Sequence, residues 1–450
     1  MRIPPRSRHP RERLPRRRHS SERLPRRRHS GERFSRRRRP GERFSRSLRP
    51  AALLGLGALI TSAVTGVLAA GPAVPANAGC SPAWRLETPA HAASSVQDVQ
   101  VLSAKDVRFT ASIDFMWGGG MSESVWNGSA VTATGPQIPH QPKRGGFAGG
   151  HSSYDSPSSG WVLVTPGGGT GDVATTILGR WYGGRWTLYP GAVSSDPEKS
   201  RVRLSDVASV APDDAWAVGD LDGNGALIEH WDGTEWKAVD NPGASSRGVQ
   251  LWQVSASSAK DVWAVGFRRL PNAGAFVPYA QHYDGAKWSE VTMPEVGAPD
   301  GVASTVLAKG PNDVYVGGWR GSWGDWNGYK PLVMHWDGQK WSVDTGPAGV
   351  VSGGFMDGLY APGPNDLWAV SGSAVLHRTG TAWTKVTPEG AQPGGPNVEG
   401  IHYFYTAVGG SGPTDVWAVG QAISTDPSPT PGTALASVHT ALAHLTCGRK

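Results

Sequence analysis

Hydrophobic and polar positions follow a pattern that recurs seven times between Val96 and Lys450. Each recurrence has a Gly, Pro or Asp turn, a run of the type D-V-W-A-V-G, and later a segment of the type H-W-D-G-x-x-W-x-x-V-x-x-P. The near-continuous apolar run predicts a buried strand, and the Asp-Gly pairs predict tight turns between strands. The second strand of each unit carries its marker residue at Arg108, Trp161, Trp216, Trp263, Tyr315, Trp368 and Trp417.

The marker residues are spaced 53, 55, 47, 52, 53 and 49 positions apart. A period of about 50 residues with several short strands per unit is typical of propeller blades. The sequence therefore predicts an all-β fold, a seven-bladed β-propeller of four-stranded antiparallel blades, as one domain over residues 79–450. Radial closure leaves no long unpaired sheet edge.

The two ends of the repeat region are predicted to complete one blade together. The fourth strand of a blade reads W-x-x-V-x-x-P, and Trp84–Pro89 carries a signature of this kind ahead of the first repeat. The seventh repeat ends after its third strand, at Ala441–His444. We therefore expect the N-terminal strand to supply the fourth strand of the last blade.

The chain has two cysteines, Cys80 and Cys447, which are 367 positions apart. Aligned on the other blades, both fall where an Asp-Gly turn such as Asp232-Gly233 joins strands three and four. This placement predicts a disulfide bond that replaces the turn, and the alternative is two unpaired buried thiols. In the loop-entropy model, closing so long a loop removes on the order of 5 kcal/mol of unfolded-chain entropy.

Residues 1–78 form a leader whose composition differs from the rest. Residues 1–50 hold four Arg-rich decapeptides without an apolar stripe, which predicts disorder. We interpret this segment as an extended n-region of a signal peptide or as an over-long assigned start, and the alternative is that it binds nucleic acid. Residues 51–78 contain an uncharged apolar run and end in Ala76-Asn77-Ala78, a small-x-small cleavage site. We expect a signal peptide and a secreted, extracellular protein, and the alternative is a retained membrane helix.

Net charge changes when the leader is set aside. The leader holds 20 of the 44 Lys and Arg residues but 4 of the 37 acidic residues, so 24 basic and 33 acidic residues remain and their net charge is −9. A domain this acidic has no electrostatic footprint for nucleic acid or anionic lipid, and it favours basic partners. We expect a monomer without nucleic-acid partners and without stable membrane insertion after signal cleavage.

Asp261–Gly266, followed by His282–Trp288 and Met293-Pro294, resembles a kelch repeat, and Tyr315–Gly318 resembles it too. The resemblance covers residues 80–450 and implies a kelch-like propeller of the galactose oxidase central-domain superfamily, of a secreted bacterial type. Galactose oxidase-like enzymes need a cysteine cross-linked to a tyrosine beside a copper ion. Because both cysteines are predicted to close the ring, the resemblance implies the fold and not this activity.

Repeated polar residues are interpreted as structural. Five histidines share one position on the third strands, where they lie too far apart to bind a single metal ion, and the repeated aspartates are interpreted as turn caps that accept backbone N–H bonds. Asp220–Gly225 resembles the start of a calcium loop, but Trp231 stands where the bidentate glutamate is needed, which favours a plain turn. We expect neither a metal nor a cofactor. The residues concerned are His230, His282, His335, His377 and His444, and Asp106, Asp214, Asp261, Asp313, Asp366 and Asp415.

Residues that break the repeat are the candidates for function, and the most unusual insertion lies at residues 319–330 of the fifth unit. Its aromatic rings suit sugars, cations or peptide side chains, and its polar side chains can orient a ligand. The alternative is that the loop folds onto its own blade as a satellite cluster. The candidate ligand-binding residues are Trp319, Arg320, Trp323, Asp325, Trp326, Asn327 and Tyr329, with Trp117 in a similar loop of the first unit.

The sequence shows no nucleophile elbow, phosphate-binding loop, dinucleotide fingerprint or zinc-helix motif. We therefore predict a secreted, non-enzymatic propeller whose loop face binds a carbohydrate or protein partner, and we assign no catalytic residue. The alternative is an extracellular polysaccharide hydrolase or lyase, which would use carboxylates brought together from different blades.

Overall fold

The computed structural model describes residues 81–90, 94–113, 121–133, 150–164, 177–193, 202–221, 223–271, 274–297, 299–325, 327–388, 401–424 and 437–447. These residues form seven four-stranded antiparallel sheets, the blades, and one short 3-10 helix at Gly346–Gly349. No helix in these ranges is long and apolar enough to cross a bilayer. The structure confirms the seven-bladed β-propeller.

The strands are numbered in chain order, with the first strand belonging to blade 7. Blade 1 contains β2 Ser94–Ser103, β3 Asp106–Ile113, β4 Met121–Trp126 and β5 Val131–Ala133; blade 2 contains β6 Ser152–Ser156, β7 Ser159–Val164, β8 Ile177–Tyr182 and β9 Arg185–Pro190; and blade 3 contains β10 Val202–Ala211, β11 Asp214–Leu221, β12 Ala226–Trp231 and β13 Trp236–Ala238. Blade 4 contains β14 Val249–Ser258, β15 Asp261–Arg269, β16 Phe276–Tyr283 and β17 Trp288–Val291; blade 5 contains β18 Asp300–Gly310, β19 Asp313–Gly321, β20 Lys330–Trp336 and β21 Trp341–Asp344; and blade 6 contains β22 Met356–Gly363, β23 Asp366–Ser371, β24 Ala374–Thr379 and β25 Ala382–Val386. Blade 7 contains β1 Ala83–Leu86 together with β26 Ile401–Gly412, β27 Asp415–Ser424 and β28 Ser437–Thr446.

Each blade places its first strand at the axis and its fourth strand at the periphery. The strands of blades 1 to 6 are hydrogen-bonded in sequence order, and the first strand of every blade contacts the first strand of the next. β26 of the last blade contacts β2 of the first, so the seven first strands form a closed ring.

The N-terminal strand closes the ring as the sequence predicted. β1 pairs antiparallel with β28, with Trp84 opposite Leu445, and supplies the fourth strand of blade 7. The Trp84 ring is buried and meets the edge of Trp368 in blade 6 at a centroid distance of 5.6 Å. The first described strand and the last strand therefore share one sheet.

Tryptophan packing between blades explains the repeated pattern. The marker residues lie on second strands, which are buried between neighbouring sheets; in β15 the first seven residues are all buried. Trp216 of blade 3 contacts Trp288 on the fourth strand of blade 4 at 5.3 Å, edge to face. Trp263 of blade 4 and Trp341 of blade 5 form the same contact at 6.0 Å. Each such pair adds about 0.5–1.5 kcal/mol beyond area burial.

Candidate ligand-binding site at the channel mouth

A β-bulge recurs near the start of the first strands. In β10 the register shifts between Leu204 and Asp206, so Ser205 is an extra residue opposite the second strand. The equivalent shift occurs in β2, β14, β18, β22 and β26. A bulge bends the strand and re-aims a side chain. The bulged residues are Gln97, Ser205, Trp252, Ser304, Asp357 and Thr406, and Gly150 is the equivalent residue of blade 2.

These seven positions line one cavity of about 400 Å³ at the propeller axis, which we call the channel mouth. First strands begin on the same face as the loops between second and third strands, because successive strands of a blade are antiparallel. The channel mouth therefore lies on the loop face, where the sequence places function. Its remaining lining residues are His151, Leu163, Arg203, Leu204, Gln253, Phe355 and Met356.

One side of the channel mouth is aromatic. Trp252 and Phe355 both line the cavity and pack against a buried cluster of Phe267, Val302 and the loop of blade 5. The Trp252 ring meets Phe267 edge to face at 5.3 Å. Because packing behind it holds the indole, Trp252 can offer a ring surface to a ligand without a large loss of side-chain entropy.

Another part of the channel mouth is acidic. Asp357 lies at the bulge of β22, and its Oδ2 accepts a hydrogen bond of 3.2 Å from the backbone N–H of Gly372. Burial raises the pKa of the Asp357 carboxyl to about 7, and the bond from Gly372 only partly opposes this shift. Gly372 has a φ of 54° in the tight turn between β23 and β24, a conformation that favours glycine.

The hydroxyl groups on either side of Asp357 hold neighbouring blades together. Ser304 Oγ of blade 5 donates to the carbonyl oxygen of Met356 in blade 6 at 2.6 Å. Thr406 Oγ1 of blade 7 donates to the carbonyl oxygen of Val96 in blade 1 at 2.8 Å. Since a carbonyl only accepts, both hydroxyl protons are used in the ring, and the oxygens retain acceptor capacity.

A second polar layer lies one residue further along the first strands. Asp98 accepts N–H bonds of 2.8 Å from Val99 and from Ser152 of the next blade. Asp206 accepts equivalent bonds of 2.8 Å from Val207 and 2.9 Å from Val254. In each carboxylate Oδ1 accepts the N–H of the next residue on its own strand, and Oδ2 accepts an N–H of the next blade, which is a structural role.

Asp206 has a raised pKa of about 6 despite these hydrogen bonds. Burial is the largest cause, and His151 acts in the opposite direction. The His151 Nδ1 lies 3.9 Å from Asp206 Oδ1 and its side chain is partly exposed to the cavity.

The predicted aromatic loop of blade 5 is folded onto blades 4 and 5. Trp319 and Tyr329 are 2% and 3% exposed and stack on each other at a centroid distance of 3.9 Å. Trp323 remains 49% exposed and packs on Phe276 at 4.3 Å. The described rings of the loop thus combine the satellite cluster with the exposed ring of Trp323.

The polar residues of the same loop lie at its surface. Asp325 Oδ1 accepts the N–H of Gly328 at 3.1 Å, and Arg320 Nη1 donates to the carbonyl of Val296 at 3.4 Å. Asn327 is exposed. Trp326 and Trp117 lie outside the described residues.

The repeated histidines and aspartates bind each other. His282 Nε2 lies 2.6 Å from Asp261 Oδ1, and the imidazole stacks on the marker ring of Trp263 at 4.5 Å. These aspartates were interpreted as caps for backbone N–H groups, but their described side-chain bonds go to other side chains. Five of the six bind a histidine of the neighbouring strand, and Asp106 binds Arg108 instead. The other pairs are His230–Asp214, His335–Asp313, His377–Asp366 and His444–Asp415, at 2.7–2.8 Å.

Three further sequence interpretations concern cysteine and metal ions. In the described ranges Cys447 is not a free cysteine, but Cys80 lies outside them, so their pairing stays a prediction. Asp220 Oδ1 accepts the N–H of Gly223 at 2.8 Å, as in a plain turn. The described part of the chain contains no group of three or more side chains arranged to hold a metal ion.

Sequence reasoning did not find Trp252, Phe355 and Asp357. An alignment of the first strands contains one indication of the site. Trp252, a large aromatic residue, stands at the position that Ser205 and Ser304 occupy in the neighbouring blades. The bulge that turns Trp252 and Asp357 to the axis has no such signature in the sequence.

No protein-family model and no curated protein sequence matches the chain. Solved structures do match the chain. YCF48 from Cyanidioschyzon merolae is 13% identical to it, with a TM-score of 0.47, and the match covers 81% of this chain and 98% of that chain. The extracellular domain of a proposed hybrid two component system from B. thetaiotaomicron is 9% identical over 80% of this chain and 40% of that chain, with a TM-score of 0.49.

A fungal lectin from Aleuria aurantia, described as a six-bladed β-propeller with a novel mode of fucose recognition, is 14% identical. The match covers 55% of this chain and 77% of the lectin, with a TM-score of 0.35. Identities this low transfer neither a ligand nor an activity to this chain.

Proposed function

We propose that this protein is a non-enzymatic carbohydrate-binding propeller that acts outside the cell and binds its ligand at the channel mouth. The observation that carries the proposal is the composition of this cavity, in which Trp252 and Phe355 stand beside hydrogen-bonding groups from several blades. Its volume of about 400 Å³ lies within the range of about 300–1,000 Å³ that is usual for small-ligand sites.

Sugar rings need both kinds of surface that the cavity offers. The apolar C–H face of a pyranose packs on an aromatic ring, and its hydroxyl groups need directed donors and acceptors. Trp252 supplies the ring, while Gln97, Ser304 and Asp357 supply polar atoms from blades 1, 5 and 6. A protein partner is the alternative ligand, and it would extend over the loop face rather than enter the cavity.

The exposed part of the blade 5 loop lies in the same aromatic assembly. Trp323 contacts Phe267 at 5.8 Å, and Phe267 in turn contacts Trp252 at 5.3 Å. We propose that Trp323, with Arg320, Asp325 and Asn327, contacts the part of a longer glycan that extends out of the channel mouth. Trp319 and Tyr329 support this surface from the core.

A polysaccharide hydrolase or lyase would need two carboxyl groups that are free to act on the substrate. Among the described residues that line the channel mouth or lie directly beneath it, Asp98 and Asp206 already bind two backbone N–H groups each. This arrangement favours binding over turnover.

Export is proposed from the apolar run and the cleavage site in residues 51–78. The kelch-like assignment and the Cys80–Cys447 bond also stay proposals from the sequence. We propose that the mature chain begins near Gly79 and works as an extracellular monomer.

The test is a glycan array and calorimetric titration of the mature protein, with Trp252→Ala and the control Trp181→Ala. Trp181 is a half-buried tryptophan near the opposite end of its blade, on β8, and does not line the channel mouth. We expect Trp252→Ala to weaken glycan binding at least tenfold, about 1.4 kcal/mol or more, while Trp181→Ala leaves it unchanged. Undiminished binding by Trp252→Ala would contradict the site, and release of reducing ends would support the hydrolase.

A further inference from the structure

Acceptor atoms dominate one arc of the channel mouth. The arc consists of Ser304, Asp357 and Thr406, the bulged residues of the adjacent blades 5, 6 and 7. Both hydroxyl groups donate their protons to backbone carbonyl groups, so each offers lone pairs to any further partner. The Asp357 carboxylate also accepts. We call these three residues the acceptor arc.

Among the residues that the structure describes, no basic side chain forms an ion pair with Asp357. Its pKa is set by burial, which raises it, and by the N–H of Gly372, which lowers it. The basic side chains of the same cavity, Arg203 and His151, belong to blades 3 and 2 and are not among the causes of the shift. A carboxylate in this position is stabilised as an anion if a ligand brings the positive charge.

The aromatic side of the channel mouth has the same electrostatic preference. Trp252 stands in blade 4, next to the acceptor arc, and Phe355 lies two residues before Asp357. The faces of aromatic rings attract cations through their quadrupole, by about 0.5–2 kcal/mol. Two further acidic residues, Asp98 and Asp206, lie in the layer beneath.

An alkylammonium group matches this surface chemically. It carries three N–H donors and no acceptor, which suits an arc whose side chains accept hydrogen bonds from a ligand. A neutral hydroxyl or acetamido group brings fewer donors or adds an acceptor, and it leaves Asp357 without a counter-charge.

We propose that the channel mouth binds a positively charged amino sugar, with its ammonium group on the acceptor arc and its ring against Trp252. This inference rests on the proposed carbohydrate function and specifies the class of sugar.

The test compares three β-1,4-linked trisaccharides that differ at carbon 2 of each ring: the glucosamine trimer with ammonium groups, the N-acetylglucosamine trimer with acetamido groups, and cellotriose with hydroxyl groups. Binding to the full mature chain is measured by calorimetry at pH 7. We expect the glucosamine trimer to bind at least about tenfold more tightly than either neutral trimer. Raising NaCl from about 50 to 500 mM is expected to weaken only the charged ligand.

Asp357→Asn keeps the size of the side chain and removes its charge. We expect it to abolish the preference for the glucosamine trimer, so that the three trimers bind within about twofold of one another. Ser304→Ala is the second variant, and it is expected to weaken the glucosamine trimer more than either neutral trimer because one acceptor is lost. The comparison of ligands on the unaltered protein decides the question even if a variant folds poorly.

The outcomes separate the two proposals. Neutral trimers that bind as tightly as the glucosamine trimer, with binding lost in Trp252→Ala, would keep the carbohydrate function and overturn the ammonium site. Equal loss of all three ligands in Asp357→Asn would also overturn it. If none of the trimers and no glycan on the array binds, both proposals fail.

Discussion

Replacing Asp357 with asparagine is expected to stabilise the ligand-free protein at alkaline pH. The carboxyl pKa is about 7 in the folded chain and about 3.9 in an unfolded chain. Between these values the folded state holds more protons than the unfolded state, so the free energy of unfolding falls as the pH rises from about 4 to about 7. Above pH 7 the full cost of the buried anion is present.

The size of this cost follows from the shift. Three pKa units correspond to about 4 kcal/mol, which is an upper bound because the carboxylate borders a cavity that admits water. We expect about 1–2 kcal/mol of stabilisation by Asp357→Asn at pH 8.5 and almost none at pH 4.5. The asparagine carbonyl oxygen can still accept the bond from Gly372.

Urea denaturation at pH 4.5, 6.5 and 8.5 measures the effect, with the exposed Asp240→Asn as the matched control. The midpoint of Asp357→Asn should depend less on pH than that of the unaltered protein, at an unchanged slope. A variant that is less stable at pH 8.5, or that keeps the original pH dependence, would refute the reasoning. We expect a ligand-binding residue, and not a purely structural one, to lower the stability of the ligand-free protein.

Two further predictions concern ring closure. Trp84→Ala should lower the free energy of unfolding by about 3 kcal/mol, because the ring is buried against Trp368. The control Leu86→Ala changes a residue of the same strand that is 39% exposed, and it should lower the free energy of unfolding by less than about 1 kcal/mol. Equal effects of the two variants in thermal or urea denaturation would contradict a closing role for Trp84. Reduction under denaturing conditions should raise the intact mass by about two hydrogens and should lower the melting temperature of the native chain, and an unchanged mass would exclude the Cys80–Cys447 bond.

The sequence predicted the blades because packing imposes a repeated pattern. Trp216 and Trp263 each fill the same space between two sheets, so the spacing of the marker residues counts the blades. The signature at Trp84 revealed the closing strand for the same reason.

The site was less predictable because it depends on geometry that no local pattern encodes. A bulge turns Trp252 and Asp357 to the axis, and only the closed ring brings these residues of blades 4 and 6 to one cavity. In the blade 5 loop, composition alone did not separate Trp319, which is buried, from Trp323, which is exposed.

The pairing of β1 with β28 has a consequence for the order of events during biosynthesis. β1 leaves the ribosome before the other strands, but its partner follows about 350 residues later, so the backbone of β1 stays unpaired until β28 has been synthesised. Until then blade 7 cannot form and the growing arc has two open ends. Closure of blade 7 therefore waits for β28, and a chain that lacks this strand would expose sheet edges that invite aggregation.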